Sequence, residues 1–305
     1  MRRAGLAGVS RAGLTPVVEA YLRMAAAFGE DLASAALDHG RHDPFDLRDP
    51  AYIEQTLPAL RLMSRLYFRA TVTGLEHIPA DGPVLLVGNH SGGTLIADTF
   101  VFAQCFYDHF GAGRRFHQLA HDLVFKLVGL RTLIERYGTV PASPQNMATA
   151  LDRGSALLVY PGGDEETYRP SWESDRIDFA DRTGFIRLAL EHDVPIVPVV
   201  SIGGQETALF LGRGRRLARW LHLDRTLRLK VLPAVLGPPA MFTVFDLPIR
   251  IPLPAKITVE VLEPIHLRTV LGASPDVDEG YRTVTGVMQE TLTRLGDERT
   301  LPILG

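Results

Sequence analysis

The first segment able to act on a substrate is Asn89-His90-Ser91-Gly92-Gly93, with Asp98 following. A histidine in a glycine-rich turn titrates near neutrality and can take a proton from an approaching hydroxyl. A carboxylate at Asp98 could accept the other ring N–H and fix the tautomer. On a straight helix the eight positions from His90 to Asp98 rise ~12 Å, too far for contact. The pairing therefore requires a bent loop over Ser91-Gly92-Gly93-Thr94, which the two glycines permit. A structural reading also fits: His90 caps a backbone group, and Asp98 is a first-turn helix acid favoured by the dipole.

A second segment runs Tyr160-Pro161-Gly162-Gly163-Asp164-Glu165-Glu166-Thr167-Tyr168-Arg169-Pro170. Successive glycine N–H groups could bind an anion or an oxyanion. The acids could hold a hydroxyl acceptor and Arg169 a phosphate. A solvated charged loop is the plain alternative. A third segment, Arg213 to Lys230, holds seven Arg/Lys and one acid, Asp224, interleaved with Leu217, Trp220, Leu221, Leu223, Leu227 and Leu229. With Arg61, Arg65 and Arg69 it suits an anionic membrane face, or else the phosphates of a ligand. A solvated surface is again the alternative. The apolar, proline-rich stretch from Leu232 to Pro254 is a candidate shallow insertion.

Other groups point to less. His117 and His121 have the i, i+4 spacing of a metal pair, but no His-Glu-x-x-His occurs, and the expectation is no metal site. No Gly-x-Ser-x-Gly elbow is present either. Cys105 sits in an apolar helix and reads as core.

The elements that must position these residues are α/β in pattern. Val84 to Val87 is a short apolar strand that ends in Gly88-Asn89-His90, and a helix follows to about Phe110. Gly138 to Ala142 is extended, and Ser143-Pro144 caps a helix to about Leu151. Ala156 to Tyr160 and Val194 to Val200 are buried strands, ending in Pro161-Gly162-Gly163 and Gly203-Gly204. Thr183 to Glu191 is a helix and Ile257 to Leu262 a strand. Leu57 to Ala70 is a helix with Leu62, Met63, Leu66, Tyr67 and Ala70 on one face and the three arginines on another. Val17 to Phe28 has helical spacing. A last helix starts at Ser274-Pro275, with Val277, Tyr281, Val284, Met288, Leu292 and Leu295 on one face. The expected fold is a mainly parallel or mixed sheet covered by helices on both faces, with an N-terminal helical appendage. In such folds chemistry collects at the carboxyl ends of the strands, where the three glycine segments fall. The expected division is a helical region over 1–70, a catalytic domain over 71–268 and a C-terminal helix over 269–305.

Composition narrows the function. The chain has 305 residues, 46% apolar and 22% charged, with net charge -3. This is ordinary globular composition, and nothing in it suggests nucleic-acid binding. A single cysteine excludes an intrachain disulfide. The longest stretch free of ionisable residues, Val231 to Phe245, is shorter than the ~20 residues of a spanning helix. Arg11 and Glu19 interrupt any signal-peptide core. These features predict a cytoplasmic protein.

Taken in order, the segments resemble the glycerolipid acyltransferase superfamily over about residues 70–268. Within it, the chain is similar to the monoacylglycerol and type-2 diacylglycerol acyltransferase branch and its bacterial relatives. Asn89, His90 and Asp98 match the first family block, and Gly138-Thr139-Val140-Pro141 the second. Tyr160-Pro161-Gly162-Gly163 with Glu166 matches the third, and Val194-Pro195-Ile196-Val197-Pro198-Val199 the fourth. Two departures stand out. Seven residues separate His90 from Asp98 where the family has four, and Gly162 stands where the family commonly has glutamate. The second departure fits the neutral-lipid branch better than the phosphatidate-making one.

The resemblance implies acyl transfer to a lipid hydroxyl, with His90 as general base and Asp98 orienting it. Gly92, Gly93, Gly162 and Gly163 are implied oxyanion donors, and Glu166 and Arg169 substrate contacts. The donor would be acyl-CoA or acyl carrier protein, acting as co-substrate with no cofactor. The enzyme would sit peripherally on the inner face of an anionic membrane. Two alternatives remain: a lipid esterase or thioesterase with Ser91 as nucleophile, or a non-catalytic lipid-binding scaffold.

Overall fold

The computed structural model describes residues 43–93, 96–122, 124–126, 130–223, 230–237, 242–244, 246 and 251–301. The expected helix at Val17 to Phe28 lies outside them, as do parts of Arg213–Lys230 and Leu232–Pro254.

Strands along the chain are β1 (Thr71–Thr73), β2 (Val84–Gly88), β3 (Phe116–Ala120), β4 (Thr139–Pro141), β5 (Ala156–Val159) and β6 (Ile196–Ile202), then β7 (Leu209–Gly212), β8 (Ala234–Leu236), β9 (Phe242–Val244) and β10 (Thr258–Val261). Seven form the main sheet in the order β1-β10-β6-β2-β5-β3-β4. Only β10 against β6 is antiparallel. The remaining three make a small antiparallel sheet, β7-β8-β9.

The helices are α1 (Pro50–Leu66), α2 (Ala97–Phe110), α3 (Leu130–Arg136), α4 (Pro144–Asp152), α5 (Gly163–Thr167), α6 (Gly184–His192), α7 (Arg215–Trp220), α8 (Leu267–Leu271) and α9 (Val277–Asp297). Side chains of a strand point alternately to its two faces, and both faces of the sheet are apolar. Val84 and Leu86 of β2 join α1 and α2 in one core. Leu85 and Val87 join α4, α6 and α9 in the other. The caps are local. Ser143 accepts the Asn146 N–H at the start of α4, and Asp276 accepts the N–H groups of Asp278 and Glu279 at the start of α9. Among the described residues no helix is long and apolar enough to cross a membrane.

Several expectations are corrected. The helix expected over Leu57 to Ala70 runs instead from Pro50 to Leu66, capped by Asp49 with proline at its first turn. Its buried face is Ile53, Leu57, Leu60 and Ser64, and Leu66 is exposed. Arg69 lies beyond its end at φ 45°, so Arg61, Arg65 and Arg69 do not share one helical stripe. Arg61 is moreover paired with Asp108 through two hydrogen bonds, of 3.0 and 2.6 Å. The last helix begins at Val277 rather than at Ser274-Pro275 and runs past Gly296 to Asp297. His117 lies on strand β3, where residues four apart are ~13 Å apart. The helical i, i+4 spacing therefore does not hold at His117, whose Nδ1 shares a 3.0 Å hydrogen bond with Ser155. Cys105 is only partly buried.

The central strand carries a stability prediction. Leu86→Ala removes a fully buried side chain from a wall packed on two helices and should cost about 2–5 kcal/mol. Urea unfolding measures it, and a cost below about 1 kcal/mol contradicts the two-sided burial.

Candidate active site

Strands β6, β2 and β5 are neighbours in the sheet. The three glycine segments that follow them therefore meet on one rim, as the sequence predicts. Asn89 ties two of them. Its Oδ1 accepts the Ser201 N–H at 2.7 Å, and its Nδ2 donates to the Ser201 carbonyl at 2.9 Å. One side-chain amide thus extends the pairing of β2 with β6 past the end of the strand.

His90 follows directly. Its backbone N–H donates to Glu166 Oε2 at 2.9 Å. Its ring stacks on Tyr160 at 4.3 Å between centroids and 23° between planes. The Tyr160 hydroxyl shares a 2.7 Å hydrogen bond with Thr99 Oγ1, which fixes the stacking partner. The imidazole is 9% exposed, and its Nδ1 has no hydrogen-bond partner among the described residues. Burial, and then the positive charge of Arg169, push its pKa from 6.5 down to about 3. The ring is therefore neutral at physiological pH.

Glu166 is fully buried in α5. Besides the His90 N–H, its carboxylate accepts Arg169 Nη1 at 3.3 Å and the Asp178 N–H at 3.4 Å. Burial pushes its pKa up to about 7, against the opposing pull of Arg169 and the two N–H donors. Glycine is required at 162 because a Cβ there would fall on the Glu166 side chain. The Glu166 side chain thus fills the space beside Gly162.

Asp98 departs from the expected arrangement. Its Oδ2 accepts Ser91 Oγ at 2.9 Å and Ser201 Oγ at 2.8 Å, and its Oδ1 accepts the Thr99 N–H at 2.8 Å. It makes no hydrogen bond to the His90 ring. Burial raises its pKa to about 6. Ser91, whose hydroxyl is directed at Asp98, is likewise not paired with the imidazole. Arg169 is 1% exposed, and its Nη1 donates to Glu166 and to the Arg176 carbonyl, while its Nε has no partner among the described residues.

The glycine N–H groups divide. That of Gly92 donates to Gln205 Oε1 at 3.3 Å and that of Gly163 to the Tyr160 carbonyl at 3.1 Å. Both are committed, which leaves those of Gly93 and Gly162. The neighbouring acids are paired too. Asp164 meets Arg182 at 3.5 Å, and Glu165 meets Arg215 at 2.6 Å. Arg213 bonds Glu173 at 2.7 Å, so the start of the basic segment serves internal pairs.

Sequence reasoning missed Tyr160 as the ring under His90, Ser201 as a partner of Asp98, and Gln205 and Arg182 as braces. Each acts across a long separation in the chain and carries no local signal. The Gly203-Gly204 turn after β6 was the one hint that this strand end joins the site.

Comparisons with known proteins bear on the same segments. The family model described as Acyltransferase matches residues 69–202, from β1 to the end of β6. An uncharacterised protein of Mycobacterium tuberculosis is 31% identical over 244 residues, covering 78% of this chain and 64% of its own. A human protein named DGAT1/2-independent enzyme synthesizing storage lipids is 30% identical over 223 residues, covering 73% of this chain and 65% of its own. The chain thus spans just under two thirds of the length of these relatives. The crystal structure of the 1-acyl-sn-glycerophosphate (LPA) acyltransferase PlsC from Thermotoga maritima has the same fold. It superposes with a TM-score of 0.54 at 16% identity, covering 95% of this chain and 98% of that one. The sequence blocks of the first strands thus lie within the segment that the Acyltransferase family model matches, on a fold shared with the Thermotoga maritima enzyme.

Proposed function

We propose that the protein is an O-acyltransferase that moves a fatty acyl group from acyl-CoA to a glycerolipid or other lipid alcohol. The observation that carries this reading is His90: neutral, nearly buried, and held by its own backbone on the carboxyl rim of the sheet. A neutral imidazole can accept the proton of the acceptor hydroxyl. The oxygen then attacks the thioester carbonyl carbon. The tetrahedral intermediate collapses with cleavage of the C–S bond, and the imidazolium returns the proton to the departing thiolate. Ester and free thiol are the products. In this reading the N–H groups of Gly93 and Gly162 serve the oxyanion. Asp98 acts as a positioning residue that holds the Ser91 turn, and Glu166 as one that holds His90. The burial of Arg169 favours an uncharged acceptor over a phosphorylated one. The enzyme would draw that acceptor from the inner face of an anionic membrane as a peripheral protein, with acyl carrier protein as the other candidate donor.

The reaction is tested with labelled acyl-CoA against glycerol-3-phosphate, lysophosphatidate, monoacylglycerol, diacylglycerol and a long-chain alcohol. We expect labelled ester on an uncharged acceptor. His90→Ala should lower the rate about 10²–10⁴-fold with the fold intact by circular dichroism. Free fatty acid as the only product would favour the esterase, and full activity in His90→Ala would refute the base.

The protonation state has its own test. Between pH 6.5 and about 3 the unfolded chain binds a proton at this histidine and the folded chain does not. Lowering the pH across that window therefore costs stability at this site. Ring resonances of His90 followed by NMR should show a neutral imidazole at pH 5. Titration near 6.5 would contradict the dry environment.

A further inference from the structure

We propose that the outer face of the small sheet, with the two tryptophans beside it, docks on an anionic lipid bilayer. The inference rests on the lipid-acceptor reading and names the surface through which the protein would reach its acceptor.

The register of the small sheet puts Leu209, Leu236 and Phe242 in one row, and Ala234 and Val244 in the next row that faces the same way. Phe242 is 56% exposed and Val244 50%, with Leu209 and Leu211 also exposed. The other face is the opposite case. Phe210 and Val235 are fully buried and pack with Tyr168, Ala208 and Val231. Apolar residues thus line both faces of a three-stranded sheet, and one face has no cover among the described residues. Isolated exposed apolar side chains are ordinary, but a contiguous face marks a contact surface.

Three observations favour a bilayer over a protein partner. First, the chain has only two tryptophans, and both flank β7 with their rings in solvent. Trp172 is 67% exposed and Trp220 73%. Ser171, next to Trp172, accepts the Phe210 N–H of β7 at 2.9 Å, and Trp220 ends the helix that follows β7. Exposed indoles at the edge of an apolar face suit the headgroup boundary. Second, α7 adds exposed Leu217 and Leu221 on the same helical side as Trp220. Third, the charge is complementary. Glu165 and Glu173 are taken by Arg213 and Arg215, whereas exposed Arg216 and Arg219 of α7 make no ion pair with a described residue. Basic side chains beside an anionic surface add to its attraction for the protein.

The placement also connects to chemistry. A Cβ on Gly93 would strike Phe210 and Asp246, so the inner face of this sheet abuts the glycine turn that carries His90. One thin layer separates the proposed lipid contact from the catalytic rim.

The two tryptophans make the full chain its own probe. Emission is followed as the protein is titrated with phosphatidylcholine vesicles, with and without phosphatidylglycerol. We expect a blue shift on the anionic vesicles and quenching when their acyl chains are brominated. Leu209→Gln with Phe242→Gln should weaken partitioning at least about tenfold, because each large apolar side chain withdrawn from water is worth about that much. Arg216→Gln with Arg219→Gln should remove most of the preference for phosphatidylglycerol. Binding with unshifted, unquenched emission and no effect of either pair would overturn the assigned face while leaving a peripheral enzyme intact. Absence of vesicle binding, or tryptophans shielded in a lipid-free dimer on size exclusion, would overturn it too. Turnover on detergent-dispersed acceptor in the same samples reports separately on the reaction.

Discussion

A carboxylate with no access to water joins the two loops on which the site depends. Glu166 sits fully buried between the His90 N–H, Arg169 and the Asp178 N–H. Removing a carboxylate from water costs several kcal/mol, which its donors must offset. All three are therefore needed in place at once. That requirement shapes the local sequence. Gly162 leaves room for the side chain, and the short α5 turns Glu166 back toward β2. Arg169, three residues on, is buried as the counter-charge. Losing Glu166 would strand the Arg169 charge in a dry interior, and losing Arg169 would push the Glu166 carboxyl toward its neutral form.

The character of His90 follows from this clamp. Its backbone is fixed by Glu166 and by the Asn89–Ser201 pair beside it, and its ring by Tyr160. The same packing removes water from the ring and adds the field of Arg169, so the imidazole stays neutral. Asp98 belongs to the scaffold around this ring. With Ser91 and Ser201 as donors it binds the turn after β2 to the end of β6.

The parts of this arrangement that are local were legible in the sequence. Continuous apolar runs that end in glycine revealed β2, β5 and β6, and hence the rim. Ser143-Pro144 revealed the start of α4, and the spacing of Val284, Met288, Leu292 and Leu295 revealed the buried side of α9. Strand β3 escaped because its buried positions include the polar His117 and Gln118, which hydrogen-bond to Ser155 and Thr139. The small sheet escaped because strands of three or four residues carry too little alternation to read. The partner of Asp98 escaped for a different reason. Its carboxylate was visible, but Ser201 lies 103 residues away, and only the sheet order brings it near.

The most direct test of the central claim is a double-mutant cycle on the rate of acyl transfer, using His90→Ala, Glu166→Ala and the pair, with folding checked for each. If Glu166 acts by holding His90, its loss alone should slow transfer by at least about tenfold and add almost nothing once His90 is gone. If Glu166→Ala slowed the His90→Ala enzyme by the same factor as the wild type, the two residues would act independently. That result would contradict the account.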